Sequence, residues 1–135
     1  MYLILQQDNP DDYVIATGVT TEVREFVRMA FAYIGCEIEF KGEGIDEKGY
    51  ICKCNDPDYE FLKGKCVVEV DSNYFRPSEV DLLIGDPTKS KTKLGWEPKY
   101  DLKMLVDDMM KSDIKSMTKE KYLQKGGYHT FNYFE

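Results

Sequence analysis

The chain contains one histidine, one tryptophan, no long apolar run and no Gly-x-x-Gly-x-x-Gly turn. Each absence removes a class of function. Without the glycine turn there is no backbone cradle opening a helix to hold the pyrophosphate of a dinucleotide, so no cofactor-binding residues are expected in this chain. His129 is remote in sequence from the cysteines, and Cys52-x-Cys54 is too tight for the usual Cys-x-x-Cys metal knuckle, so no metal site is expected either. The apolar residues 1–5 stop at Gln6, far short of the ~18 residues of a membrane span. They also lack the basic flank and small-residue cleavage site of a signal peptide. Cations are in deficit, with 18 Lys and Arg against 25 Asp and Glu and a formal net charge of -7. Such a chain has no field that would condense onto nucleic acid or an anionic membrane, and an anionic ligand would need a specific arginine. The four cysteines, Cys36, Cys52, Cys54 and Cys66, read as reduced packing or incidental thiols, as in a cytoplasmic protein.

What is present is the composition of a soluble globular protein, 42% hydrophobic and 32% charged over 135 residues, enough for one domain's core. Residues 2–7 read as the last turns of a helix, which suggests that Met1 is an internal position of a longer protein. Residues 8–12 form a turn cluster. Residues 13–17 (YVIAT) are a continuous apolar, β-branched run of the kind buried on both faces of a parallel sheet. Thr21 is placed to cap a helix whose apolar face is Val23, Phe26, Val27, Ala30, Phe31 and Ile34, with Gly35 ending it. The alternation of residues 36–40 predicts a half-exposed strand. Residues 41–65 dissolve into Gly, Asp, Glu, Lys and Pro, a long excursion with room for a small hairpin, and residues 66–70 return to strand character.

Asp86 and Pro87 open a short predicted helix over 88–94 that Gly95 terminates. Asp101 caps a longer one carrying Leu102, Leu105, Val106, Met109 and Met110, with Ile114 and Met117 where it frays. A methionine-rich stripe at this spacing is core packing rather than a cofactor box. Trp96 is read as core. The polar tail from Thr118, with its scattered aromatics, is expected to order only against a partner or another domain.

The chemistry concentrates in residues 71–96, DSNYFRPSEVDLLIGDPTKSKTKLGW. Arg76 offers a planar charged fork matched to phosphate oxygens, and Glu79, one helical turn on, can accept from ribose hydroxyls. In isolation the same two residues would read as a surface ion pair at helical spacing. Tyr59 and Lys63 stand at the Tyr-x-x-x-Lys spacing of a tyrosine activated by a lysine, but no Gly-rich turn or Ser/Thr-containing strand precedes them, and chance explains the match.

The ordered series DDYVIATG, VREFV, Asp46-Glu47-Lys48-Gly49, YFRPSEVDLLIGDPTK, KLGWEPK and LVDDMMKSDI resembles the C-terminal part of the GDP-mannose 4,6-dehydratases, in the extended short-chain dehydrogenase/reductase superfamily. The resemblance runs nearly end to end. It implies an α/β fold, the C-terminal portion of an NAD(P)-binding Rossmann-like enzyme with one or two sheet strands and a small mixed α/β substrate-binding domain. The division it implies is 1–35, belonging to the Rossmann-like sheet, and 36–135, a nucleotide-sugar-binding domain with a loop insertion around 41–65. It assigns Arg76 to the diphosphate and Glu79 to the guanosine ribose of GDP-mannose, places Arg24 in a matching position, and leaves no catalytic residue in this chain. The whole enzyme would be a lyase using NADP, a cytoplasmic dimer or tetramer with no nucleic-acid or membrane partner. Two alternatives stay open: part of a related nucleotide-sugar reductase or epimerase, and a non-catalytic nucleotide-sugar-binding module.

Overall fold

The computed structural model describes residues 1–76 and 83–130. Its centre is a three-stranded antiparallel sheet, β1 (Cys36–Lys41), β2 (Lys48–Cys54) and β3 (Cys66–Glu69), in the order β1-β2-β3. β1 follows the alternation of its sequence, with Cys36 and Ile38 buried and Glu37 and Glu39 exposed. Residues 41–65, expected as a long excursion with room for a small hairpin, supply the central strand, which turns back antiparallel on β1. Their pattern is faint because the inward positions of β2 are Gly49 and Ile51. A side chain at Gly49 would come within 2.8 Å of the Ile38 Cδ1 and 3.1 Å of Val68. Lacking one, Gly49 lets the two outer strands close over β2, a tertiary reason that periodicity does not carry.

Helix α2 (Val23–Tyr33) forms on its amphipathic pattern and stops at Gly35, which adopts a positive φ of 72°. Its cap position is Glu22, one residue after the expected Thr21. Val27, Phe31 and Ile34 pack on the cluster of Cys36, Ile38 and Ile51, joined from the other elements by Phe40, Tyr59, Leu62, Val67 and Val68. The helix lies against β1 and against the long C-terminal helix.

Residues 13–17 do not form the expected strand. They enter no sheet ladder among the described residues, and Val14 and Ile15 are half exposed. A strand buried on both faces requires neighbours on each side, and here the Val14 carbonyl is taken by the Ser90 hydroxyl instead. The apolar face of α2 is divided: Val23 is exposed and Phe26 half-buried, while Val27, Phe31 and Ile34 cover the antiparallel sheet.

A short helix, α1 (Tyr2–Leu5), starts the chain. α3 (Thr88–Leu94) begins where the Asp86 carboxylate accepts from the Thr88 N–H at 2.9 Å, and it ends at Gly95 in the left-handed conformation. α4 (Leu102–Lys125) is capped by Asp101, which accepts from the Met104 N–H at 2.8 Å. It extends well beyond the fraying expected at Met117. The apolar stripe fades there, but the Lys, Glu, Gln, Met and Leu that follow are good helix formers and continue the helix. Of the stripe, Val106 is buried, whereas Leu105, Met109 and Met117 are 43–50% exposed, so the core assignment holds for only part of it. Trp96 is half-buried rather than core.

Cys36 and Cys54, opposite each other on β1 and β2, are joined as a disulfide, in place of the free thiols expected; Cys52 and Cys66 are free and exposed. Among the described residues no helix is long and apolar enough to cross a membrane.

Candidate functional site

The chain leaves β3 and enters a tight turn built on Asp71. The Asp71 carboxylate accepts from the Asn73 backbone N–H at 2.8 Å, and its carbonyl accepts from the N–H groups of Tyr74 and Phe75, both at 3.1 Å. Asp71 and Asn73 are placed for this because short polar side chains close local turns. The turn delivers Arg76 at an exposed position. Glu79, the second predicted contact, lies outside the described residues, and the structure gives no separation for the pair.

After the undescribed stretch, residues 83–94 fold back on residues 11–20. Thr20 Oγ1 donates to the Leu83 carbonyl at 3.5 Å. Ser90, fully buried, donates to the Val14 carbonyl. Lys89 and Lys93, one turn apart on α3, both meet the Asp11 carboxylate, at 2.5 and 3.2 Å. Hydrogen bonds from these two ammonium groups hold the Asp11 carboxyl at a pKa of about 2, well below its ordinary value. This clasp ties α3, which follows the Arg76 segment in sequence, to the N-terminal part of the chain.

Arg24 forms a fork with Glu47, Nε donating to Oε1 at 2.5 Å and Nη2 to Oε2 at 3.0 Å. The Glu47 carboxylate, by hydrogen bond and charge, stabilises the guanidinium and raises its pKa. Two of Arg24's donors are therefore committed to protein, which supports a structural role over a ligand contact. Tyr59 lies half-buried in the one-sided turn of residues Pro57–Leu62 and packs on the core cluster. Lys63, four residues on, is exposed. No group of three or more His, Cys, Asp or Glu among the described residues could hold a metal ion.

Sequence inspection missed Arg24–Glu47, the Asp11–Lys89–Lys93 clasp and the Ser90–Val14 bond. Their partners are 23 to 82 residues apart, and no local spacing signals them.

Sheet and helices together define a small α/β unit that exposes an arginine at the end of a turn. Comparison with known proteins narrows that class. The family described as GDP-mannose 4,6 dehydratase matches residues 1–109. A GDP-mannose 4,6-dehydratase of Vibrio cholerae serotype O1 is 43% identical over 129 residues, covering 95% of this chain and 35% of the relative. That of Sinorhizobium fredii is 48% identical over 114 residues, covering 84% of this chain and 30% of its own length. The human enzyme is 44% identical over 117 residues, covering 87% of this chain and 29% of its own length. The chain belongs to the GDP-mannose 4,6-dehydratase family. It spans about a third of the length of these relatives.

Proposed function

We propose that this chain is the GDP-sugar-binding part of a GDP-mannose 4,6-dehydratase, the enzyme that converts GDP-mannose to GDP-4-dehydro-6-deoxy-mannose. The observation that carries the reading is the family match across residues 1–109, which includes the turn presenting Arg76. Arg76 meets the diphosphate and Glu79 the guanosine ribose. Residues 1–35 belong with a Rossmann-like sheet completed by other polypeptide, and residues 36–135 form the nucleotide-sugar-binding domain. The exposed Val14, Ile15, Val19 and Val23 are the apolar surface that such a sheet would cover. The whole enzyme is a homo-oligomer using NADP.

The residues present do not fit an NADP pyrophosphate cradle. Two glycines that precede helices, Gly18 and Gly85, are filled from within the chain: a Cβ at Gly18 would meet the Pro87 ring at 3.7 Å, and one at Gly85 the Ala16 Cβ at 2.7 Å. No hydride or proton transfer is therefore assigned to these residues. Their contribution is uniform binding, which fixes where the sugar lies relative to chemistry supplied elsewhere.

A chimera tests the proposal, with this chain replacing the matching third of the Vibrio cholerae relative. Turnover of GDP-mannose that is saturable and weakened by Arg76→Ala supports it. A folded chimera that binds NADP but not GDP-mannose overturns it.

A further inference from the structure

Arg24 and Glu47 connect to the Arg76 turn through a short piece of backbone. Residues 42–47 fold tightly: Glu47 N–H donates to the Gly44 carbonyl at 3.4 Å and Asp46 N–H to the Glu43 carbonyl at 3.2 Å. Gly42 and Gly44 have φ of 89° and 58°, conformations that L side chains rarely adopt. A Cβ at Gly42 would come within 2.5 Å of the Asp46 carbonyl oxygen, so this turn admits no side chain there. At Gly44 the neighbour is the ring of Phe75, whose Cζ lies 3.8 Å from where a Cβ would stand. Phe75 immediately precedes Arg76.

The turn is thus held on one side by a two-bonded ion pair to α2, and on the other the Phe75 ring is the neighbour that faces Gly44. The Glu47 side chain is 16% exposed and that of Arg24 48%, so the pair sits at the surface with its carboxylate half shielded. Around it, Val23, Val27, Phe40, Val68 and Val70 line the groove between α2 and β3.

We propose that Arg24 and Glu47 are positioning residues for the nucleotide-sugar site: they fix the 42–47 turn as a strut under Phe75, and the strut sets the direction in which Arg76 leaves the Asp71 turn. The function of the strut rests on the assignment of Arg76 to the substrate diphosphate. The mechanical coupling does not. A phosphate-binding fork must be held in register because both its bonds form only at one orientation.

Amide hydrogen exchange on the 135-residue chain, followed by NMR, separates the two. In Glu47→Gln, which keeps shape but removes charge, the Tyr74 and Phe75 amides should exchange about five- to tenfold faster. The Ile51 amide, bonded to the Lys65 carbonyl in the core, should stay within twofold. Arg24→Lys should fall between wild type and Glu47→Gln, since an ammonium keeps the charge but not the fork. The exchange pair Arg24→Glu with Glu47→Arg should return Phe75 protection toward wild type, which a purely local effect at either residue would not do. Unchanged Phe75 exchange in Glu47→Gln, with α2 amides alone affected, overturns the proposal. So does equal acceleration at Ile51, because the pair would then hold the fold as a whole. Titration of the same proteins with GDP gives the second readout, with affinity expected to fall three- to tenfold in Glu47→Gln. If wild type bound no GDP, the substrate assignment of Arg76 would fail while the exchange comparison still decided the strut.

Discussion

At the scale of single residues, Arg76 and Glu79 should differ in what they contribute. A charge-assisted contact to an anionic, partly desolvated diphosphate outweighs a contact to a neutral hydroxyl. In the chimera, Arg76→Ala should weaken GDP-mannose binding by about 2–3 kcal/mol. Arg76→Lys should recover only part of this, because an ammonium cannot reproduce the fork. Glu79→Gln should cost about 1 kcal/mol, since the amide oxygen still accepts. Steady-state kinetics read the result as a raised KM with kcat nearly kept, the pattern of groups that grip ground and transition state alike. An intact KM with turnover abolished would move Arg76 out of the grip. Asp11 carries a different prediction. Its carboxyl is depressed in the folded state to about 2, first by Lys89 and then by Lys93. The stabilisation is present above the unfolded-state value of 3.8 and is lost as pH falls through about 2. The thermal midpoint of wild type should therefore drop between pH 4 and pH 2 more steeply than that of Asp11→Asn. Parallel curves would mean the clasp does not persist in solution.

At the scale of elements, the antiparallel sheet carries most of the packed core, and Ile51 is its centre, 1% exposed between Cys36 and Ile38. Ile51→Ala should destabilise the chain by about 2–5 kcal/mol, seen as a lowered denaturant midpoint at unchanged slope. A midpoint equal to wild type would place the core elsewhere. Elements with a complete local signature were legible in the sequence. α2 had its period and its terminal glycine, α3 its Asp-Pro start, and α4 its Asp101 cap. β2 was not, because its inward residues are a glycine and one isoleucine, and the selection that makes it a strand comes from β1 and β3. The reverse holds for residues 13–17, whose β-branched run satisfies every local criterion yet finds no ladder partner among the described residues. Of the candidate site, the sequence named Arg76 and Glu79; the structure places Arg76 exposed after the Asp71 turn, and Glu79 lies outside the described residues, while the ion pair proposed to brace the turn had no local signal. Arg24–Glu47 joins residues 23 apart, and charge partners at that distance leave no periodic trace.

At the scale of the whole molecule, the distribution of apolar surface matters more than its amount. Val14, Ile15, Val19 and Val23 on one stretch and Leu105, Met109 and Met117 on α4 stay 43–79% exposed, while the sheet cluster closes on itself. Exposed apolar stretches beside one finished core are surfaces that a further packing partner could cover; the chain spans about a third of the relatives it matches. Catalysis requires that interactions strengthen in the transition state, and a part that only grips the nucleotide cannot supply that difference. On the proposed reading, the 135-residue chain should therefore give no GDP-4-dehydro-6-deoxy-mannose when incubated with GDP-mannose and NADP+, even at high substrate concentrations. Chromatography of the nucleotide sugars checks this directly. Product formed by the pure chain, and abolished by Tyr59→Phe, would show that the Tyr59 and Lys63 spacing is chemistry and not packing. That outcome would overturn both the division of labour and the reading of residues 41–65.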